Sequence, residues 1–207
     1  MTLPLSELQQ DALIEIFNIG MGKAASCMSH IGGEEIALSF PRFDILCGTD
    51  QADTIKAAIR SPSICAVSQD YTGSFDIRAF LIFPEGKTQE VVRRMIGKSV
   101  GTDELSGMEQ EALIEIGNII LNSCISSLSE ALQNDFHCSL PAYHMGSADE
   151  ILFAGDGCDD DLLIRFYMDF PTPSAHIDGY LVFLLNLPSF DALIKQVDQL
   201  LLEPHEN

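Results

Sequence analysis

One stretch of this chain occurs twice. Asp11-Ala-Leu-Ile-Glu15-Ile-Phe-Asn18, twenty-two residues and Pro41 are followed one hundred residues later by Glu111-Ala-Leu-Ile-Glu115-Ile-Gly-Asn118, twenty-two residues and Pro141. Aligned without a gap, residues 5–41 and 105–141 agree at 14 of 37 positions, where chance at average composition gives roughly two. An internal duplication obliges the fold to accommodate two similar units. Their similarity and short join predict a single domain, residues 1–207, built from repeats at about 5–97 and 105–202.

Both copies open with a capping-box pattern, Ser6-x-x-Gln9 and Ser106-x-x-Glu109, in which a serine hydroxyl accepts a backbone N–H and the third residue reaches back. The expected helices run over 7–30, stopping at Gly32-Gly33, and over 107–132, stopping near Asn134. On the first, Ala12, Leu13, Ile16, Phe17, Ala24 and Met28 form an apolar arc suited to the core. The opposite arc carries Asp11, Glu15, Asn18, Gly22 and Ser29, and in the second copy Glu111, Glu115, Asn118, Asn122 and Ser129. At 3.6 residues per turn the acid, the Glu and the Asn fall within about 60° of one another. A merely solvated face more often shows Lys and long Glu pairs. This one is short and polar in its lower half, with room for another protein to approach, and is the candidate site.

After each helix the pattern predicts a strand ending at the proline, 35–41 and 136–141, since proline cannot donate a ladder hydrogen bond. Residues 50–59 read as a short helix peculiar to the first half, and 147–161 as a short strand and an acidic loop. Hairpins are expected at 64–71 with 75–83, around Thr72-Gly73, and at 162–170 with 176–185, around Pro171-Thr-Pro173. Amphipathic helices at 88–96 and 189–202 close the halves, 98–102 joins them, and 203–207 should fray. The fold class is therefore α+β: one mainly antiparallel sheet of about six strands, pseudo-twofold symmetric, with two long helices carrying the motif.

A net charge of -20 argues against nucleic acid as a partner, because phosphate-backbone binding needs clustered Lys and Arg. The first residues carry neither a basic nor an apolar leader segment, and the longest apolar run, 180–185, is far short of a bilayer span, so a cytoplasmic protein without a membrane span is expected. The six cysteines contain no C-x-x-C pair and read as reduced, buried thiols. The five histidines are dispersed, and the run Gly155-Asp-Gly-Cys-Asp-Asp-Asp161 lacks calcium-loop spacing, so it reads as a solvated acidic turn and no metal site is expected. Phosphate-binding glycine loops and a G-x-S-x-G elbow are also missing.

A carboxylate and a carboxamide on one helix make a poor hydrolase alone. They suit assistance to another protein's chemistry, because neither is a strong nucleophile and no metal-ligand set accompanies them. The spacing acid-x3-Glu-x2-Asn-x22-Pro, present twice, resembles the signature of the CheC/CheX/FliY phosphatases of bacterial chemotaxis, in its two-site CheC form. The resemblance implies a phosphatase for the aspartyl phosphate of a phosphorylated CheY-type response regulator. It further implies that Asn18 and Asn118 orient the attacking water, that Glu15 and Glu115 pair with the regulator's lysine, and that Asp11 and Glu111 support the docking face. Mg²⁺ would be supplied by the regulator, so no cofactor is expected of this chain, and the receptor deamidase CheD is a further implied partner. The same resemblance admits a non-catalytic module that binds CheY-phosphate or CheD, as in the flagellar switch. Retention of both Glu and Asn in each copy favours catalysis. The chain departs from the pattern at Glu111, one methylene longer than the usual Asp, and at Lys23, where Asn is common.

Overall fold

The computed structural model describes residues 5–33, 35–47, 51–96, 102–153, 162–171 and 176–202. The capping box of Ser6 and Gln9 starts helix α1 (Glu7–Gly32), and Gly33, at φ 67°, ends it in the left-handed conformation that glycine adopts without strain. Strand β1 (Ser39–Cys47), helix α2 (Gln51–Ile59) and the hairpin β2 (Ile64–Thr72) and β3 (Ile77–Pro84) follow, then α3 (Thr88–Ile96). The second half comprises α4 (Thr102–Leu132), β4 (His137–Cys138), β5 (Ala142–Gly146), α5 (Ala148–Leu152), β6 (Leu162–Pro171), β7 (His176–Leu185) and α6 (Leu187–Leu202).

The seven strands form one sheet in the order β1-β6-β7-β3-β2-β4, with β5 also on β2, and every pairing is antiparallel. The order is palindromic when each strand is exchanged for its repeat equivalent. At the centre, Leu81 pairs with Leu181, residues one hundred apart, so the pseudo-dyad passes between them. The first strand of each half crosses this axis: β1 pairs with β6, and β4 and β5 pair with β2. Neither half closes its sheet alone.

Strand periodicity sorts the side chains onto two faces. Cys65, Val67, Ala79, Leu81, Phe83, Ile164, Phe166, Leu181 and Phe183 meet the long helices in the main core. Ile64, Ala66, Phe80, Ile82, Leu163, Tyr180 and Val182 meet α2 and α5 on the other side. On the main face α1 packs on α4 and α6, and α4 on α1 and α3. Phe17 fills the space between α1 and the sheet, its ring centroid 4.5 Å from Phe166 and 5.0 Å from Phe183. Its repeat equivalent is Gly117, where an added Cβ would lie 2.5 Å from Val67 Cγ1, so α4 rests directly on β2. Gly20 does the same between helices, since a Cβ there would lie 2.7 Å from Cys124 Cα.

The structure corrects several expectations. The strand expected over 35–41 lies at Ser39–Cys47, and Pro41 sits within it, at a register shift between Ser39 and Arg42 on the edge of the sheet. A bulge on an edge strand tolerates a residue that cannot donate. In the second half Pro141 separates β4 from β5, and β5 was not anticipated. Helix α4 begins at Thr102, so Ser106 lies inside it rather than capping it, and Glu109 instead accepts a hydrogen bond from the Thr88 hydroxyl at the start of α3. Ser147 caps a helix where a strand was expected, so the short helix is not peculiar to the first half. Of the cysteines, Cys65 and Cys124 are buried, and burial pushes both thiols above their ordinary pKa, whereas Cys27 and Cys138 are exposed. The acidic run 155–161, the centre of the second hairpin's turn, most of the 98–102 junction and the last five residues lie outside the described residues.

Among the described residues α4 is the one helix long and apolar enough, by length and composition, to cross a bilayer, although the notable apolar run in the sequence is elsewhere. Half of that stretch is buried inside the protein, which makes it a core helix.

Replacing Gly20 by Ala is expected to destabilise the protein by about 1–3 kcal/mol, because the helices cannot separate without opening the core. The urea midpoint measures this, and Gly22→Ala is the control, since nothing lies within 4 Å of a Cβ there.

Candidate functional site

Asp11, Glu15 and Asn18 lie on the outward face of α1, and Glu111, Glu115 and Asn118 on that of α4. All four carboxylates are exposed, and both carboxamides are half-buried. Among the described residues no cation is paired with Glu15 or Glu115, so both remain available to a partner's positive charge. Each stripe begins at an exposed apolar residue, Leu8 at 67% and Met108 at 48%, which are themselves repeat equivalents. Lys23 is engaged elsewhere: its Nζ lies 2.7 Å from Glu130 on α4, and this contact holds the Glu130 carboxyl below its ordinary pKa.

The carboxamides are fixed in orientation. The backbone N–H of Phe40 donates to Asn18 Oδ1 at 3.0 Å. A backbone N–H can only donate, so the carbonyl end of Asn18 must face inward and its amino end outward. In the first copy the donor is thus the residue just before Pro41, which itself has no N–H to offer.

Asn118 is held by side chains. Gln69 Nε2 donates to Asn118 Oδ1 at 3.3 Å and to the carbonyl of Ser139 at 3.1 Å, while Asn122 Nδ2 donates to Asn118 Oδ1 at 2.7 Å. The Tyr71 hydroxyl lies 3.1 Å from Gln69 Oε1 and 3.0 Å from Asn122 Oδ1 and closes the network. Among the described residues no acceptor sits on the Nδ2 of Asn18 or Asn118. Each site therefore presents a carboxamide NH₂ beside an exposed carboxylate, an arrangement that donates hydrogen bonds without titrating.

Each Glu/Asn pair lies on its own helix, with Asp11 and Glu111 one turn before them. The supporting groups, Phe40, Gln69 and Tyr71, were not anticipated. Gln69 left a signal: it shares the core-facing register of β2 with Cys65, Val67 and Tyr71, a polar residue among apolar ones. Among the described residues no three His, Cys, Asp or Glu side chains gather closely enough to hold a metal ion.

No family model matches the chain. It is 29% identical over 145 residues to the CheY-P phosphatase CheC of Bacillus subtilis, a match covering 66% of each protein. It is 24% identical over 163 residues to the flagellar motor switch phosphatase FliY of the same organism, covering 78% of this chain but 42% of that one. The matches thus span under two thirds of either relative. Among solved structures, FliY from Thermotoga maritima superposes with a TM-score of 0.73 at 22% identity, over 95% of this chain and 99% of that one, which shows a shared fold.

Replacing Asn18 by Ala leaves the N–H of the buried Phe40 without its acceptor and is expected to cost about 1–2 kcal/mol. Asn18→Asp retains an acceptor oxygen and should cost less than about half as much. Paired denaturation curves would distinguish the two.

Proposed function

For a chain that is CheC/FliY-like in sequence and fold, we propose that it hydrolyses the aspartyl phosphate of a phosphorylated CheY-type response regulator, using Glu15/Asn18 and Glu115/Asn118 as two separate sites. The observation that carries this reading is the repeated carboxamide, anchored through Oδ1 with its amino group outward beside an unpaired carboxylate. A surface used only for docking has no need to aim a carboxamide twice.

Glu15 or Glu115 pairs with a lysine of the regulator, and Leu8 or Met108 adds apolar contact, so that the Asn enters the regulator's site. Its Nδ2–H donates to one lone pair of a water, leaving another lone pair directed at phosphorus. The water oxygen forms the new bond to phosphorus while the bond to the aspartyl oxygen breaks. The electron pair leaves with the regulator's carboxylate, and the water's proton passes to phosphate or solvent. A Mg²⁺ supplied by the regulator would offset the charge on the phosphoryl oxygens. Helix-borne residues impose little rearrangement, which fits a reaction that needs positioning more than covalent assistance.

The same reading places the protein in the cytoplasm with its regulator. A CheD-type deamidase as a second partner rests on the sequence resemblance alone.

The test is phosphate release from a phosphorylated CheY-type regulator. Wild type should accelerate it, Asn18→Ala and Asn118→Ala should each retain part of the activity, and the double variant should lose at least about tenfold, the scale of one lost orienting contact. Binding of the phosphorylated regulator without acceleration would instead identify a docking module.

A further inference from the structure

We infer that the two sites aim the same carboxamide by different means, and that Gln69 and Asn122 are positioning residues of the second site alone. The inference rests on the phosphatase reading for its kinetic consequence and on geometry for its structural one.

The pseudo-dyad identifies what has been exchanged. Gln69 pairs across the hairpin with Ala79, and Met168 with Gly179, the repeat equivalent of Ala79. Each long helix rests on a strand of the other half, so Met168 stands at the first site where Gln69 stands at the second. By the one-hundred-residue offset, Gly22 corresponds to Asn122 and Phe40 to Leu140. At the first site Phe40 is 2% exposed and its N–H reaches Asn18, while Met168 and Gly22 offer no side-chain donor. At the second, Leu140 is 89% exposed, and Asn118 Oδ1 receives only side-chain donors among the described residues, from Gln69 and Asn122.

The polarity of this relay is determined by its end. The Ser139 carbonyl can only accept, so Gln69 must turn its NH₂ toward it, and the same NH₂ reaches Asn118 Oδ1. Gln69 is 2% exposed, so its amide is held by these partners rather than by water. Gly117 makes the reach possible, because α4 rests directly on Val67 of β2, where the first site separates helix and strand with Phe17 and Phe166. A backbone amide has thus been replaced by a side-chain relay, and only the relay can be removed by substitution. It also occupies both lone pairs of Asn118 Oδ1, whereas Asn18 Oδ1 keeps one.

The test isolates each site. With only the second site working, in an Asn18→Ala background, Gln69→Met and separately Asn122→Ala should lower kcat about tenfold with KM changed less than about twofold, as loss of orientation without loss of docking. In an Asn118→Ala background the same substitutions should change either constant less than about twofold. The loss is thus confined to one site. Asn122→Ala sits on a half-buried helical position and does not depend on Gln69→Met folding. The side-chain amide resonances of Asn118 should shift in Gln69→Met while those of Asn18 stay in place. Equal losses in both backgrounds, an undiminished kcat with only the second site working, or an unmoved Asn118 amide would overturn the inference. If wild type fails to accelerate phosphate release, the phosphatase reading fails, and the amide resonances still decide the relay.

Discussion

The pairing of β3 with β7 about Leu81 and Leu181 is the constraint on which the rest of the structure depends. It turns a tandem duplication into a single continuous sheet, because each half sends its first strand across the dyad to the other. The two long helices then share one face of that sheet, and each helix can bury one side and leave the opposite side free. Their contact at Gly20 and Cys124 is close enough to exclude a side chain. Folding thus commits both halves together, and the two polar stripes are fixed relative to one frame.

Each site is, physically, a carboxamide whose hydrogen-bonding capacity has been divided. The inner end satisfies the fold: without it the Phe40 N–H or the Asn122 amino group would lose this acceptor, and Gln69 would keep only the Ser139 carbonyl. The outer end is left unsatisfied by the protein, which is tolerable because it faces solvent and useful because solvent can be exchanged for a partner. In the proposed mechanism, stability and chemistry therefore draw on opposite ends of one side chain. The divergence between halves follows the same principle, since where Leu140 turns outward another donor must replace its amide.

Much of this was legible in the sequence, for identifiable reasons. Glu15/Asn18 and Glu115/Asn118 were visible because helical periodicity is local, and repetition at one hundred residues removes coincidence. The hairpins and closing helices were legible for the same reason. The edge strands were not: β1 runs through Pro41 by means of a bulge, and β5 exists only because β2 offers it an edge, both properties of a distant partner. The apparent capping box at Ser106 misled because α4 already begins at Thr102 and Glu109 is engaged by the Thr88 hydroxyl of α3. The link from Gln69 to Asn118 spans 49 residues, so only the misplaced polarity of Gln69 on the core face of β2 hinted at it, whereas Asn122 lies one turn from Asn118 on the same helix.

In the proposed mechanism the inward oxygen holds the fold and the outward amino group orients the water. The most direct measurement is single-turnover loss of phosphate from a phosphorylated CheY-type regulator in the presence of the Asn18→Asp, Asn118→Asp double variant. Both inward acceptors survive in that protein, and both outward donors become carboxylate oxygens. The account predicts a folded protein of near wild-type stability that no longer accelerates dephosphorylation. A double variant that folds and still accelerates it at the wild-type rate would contradict the claim.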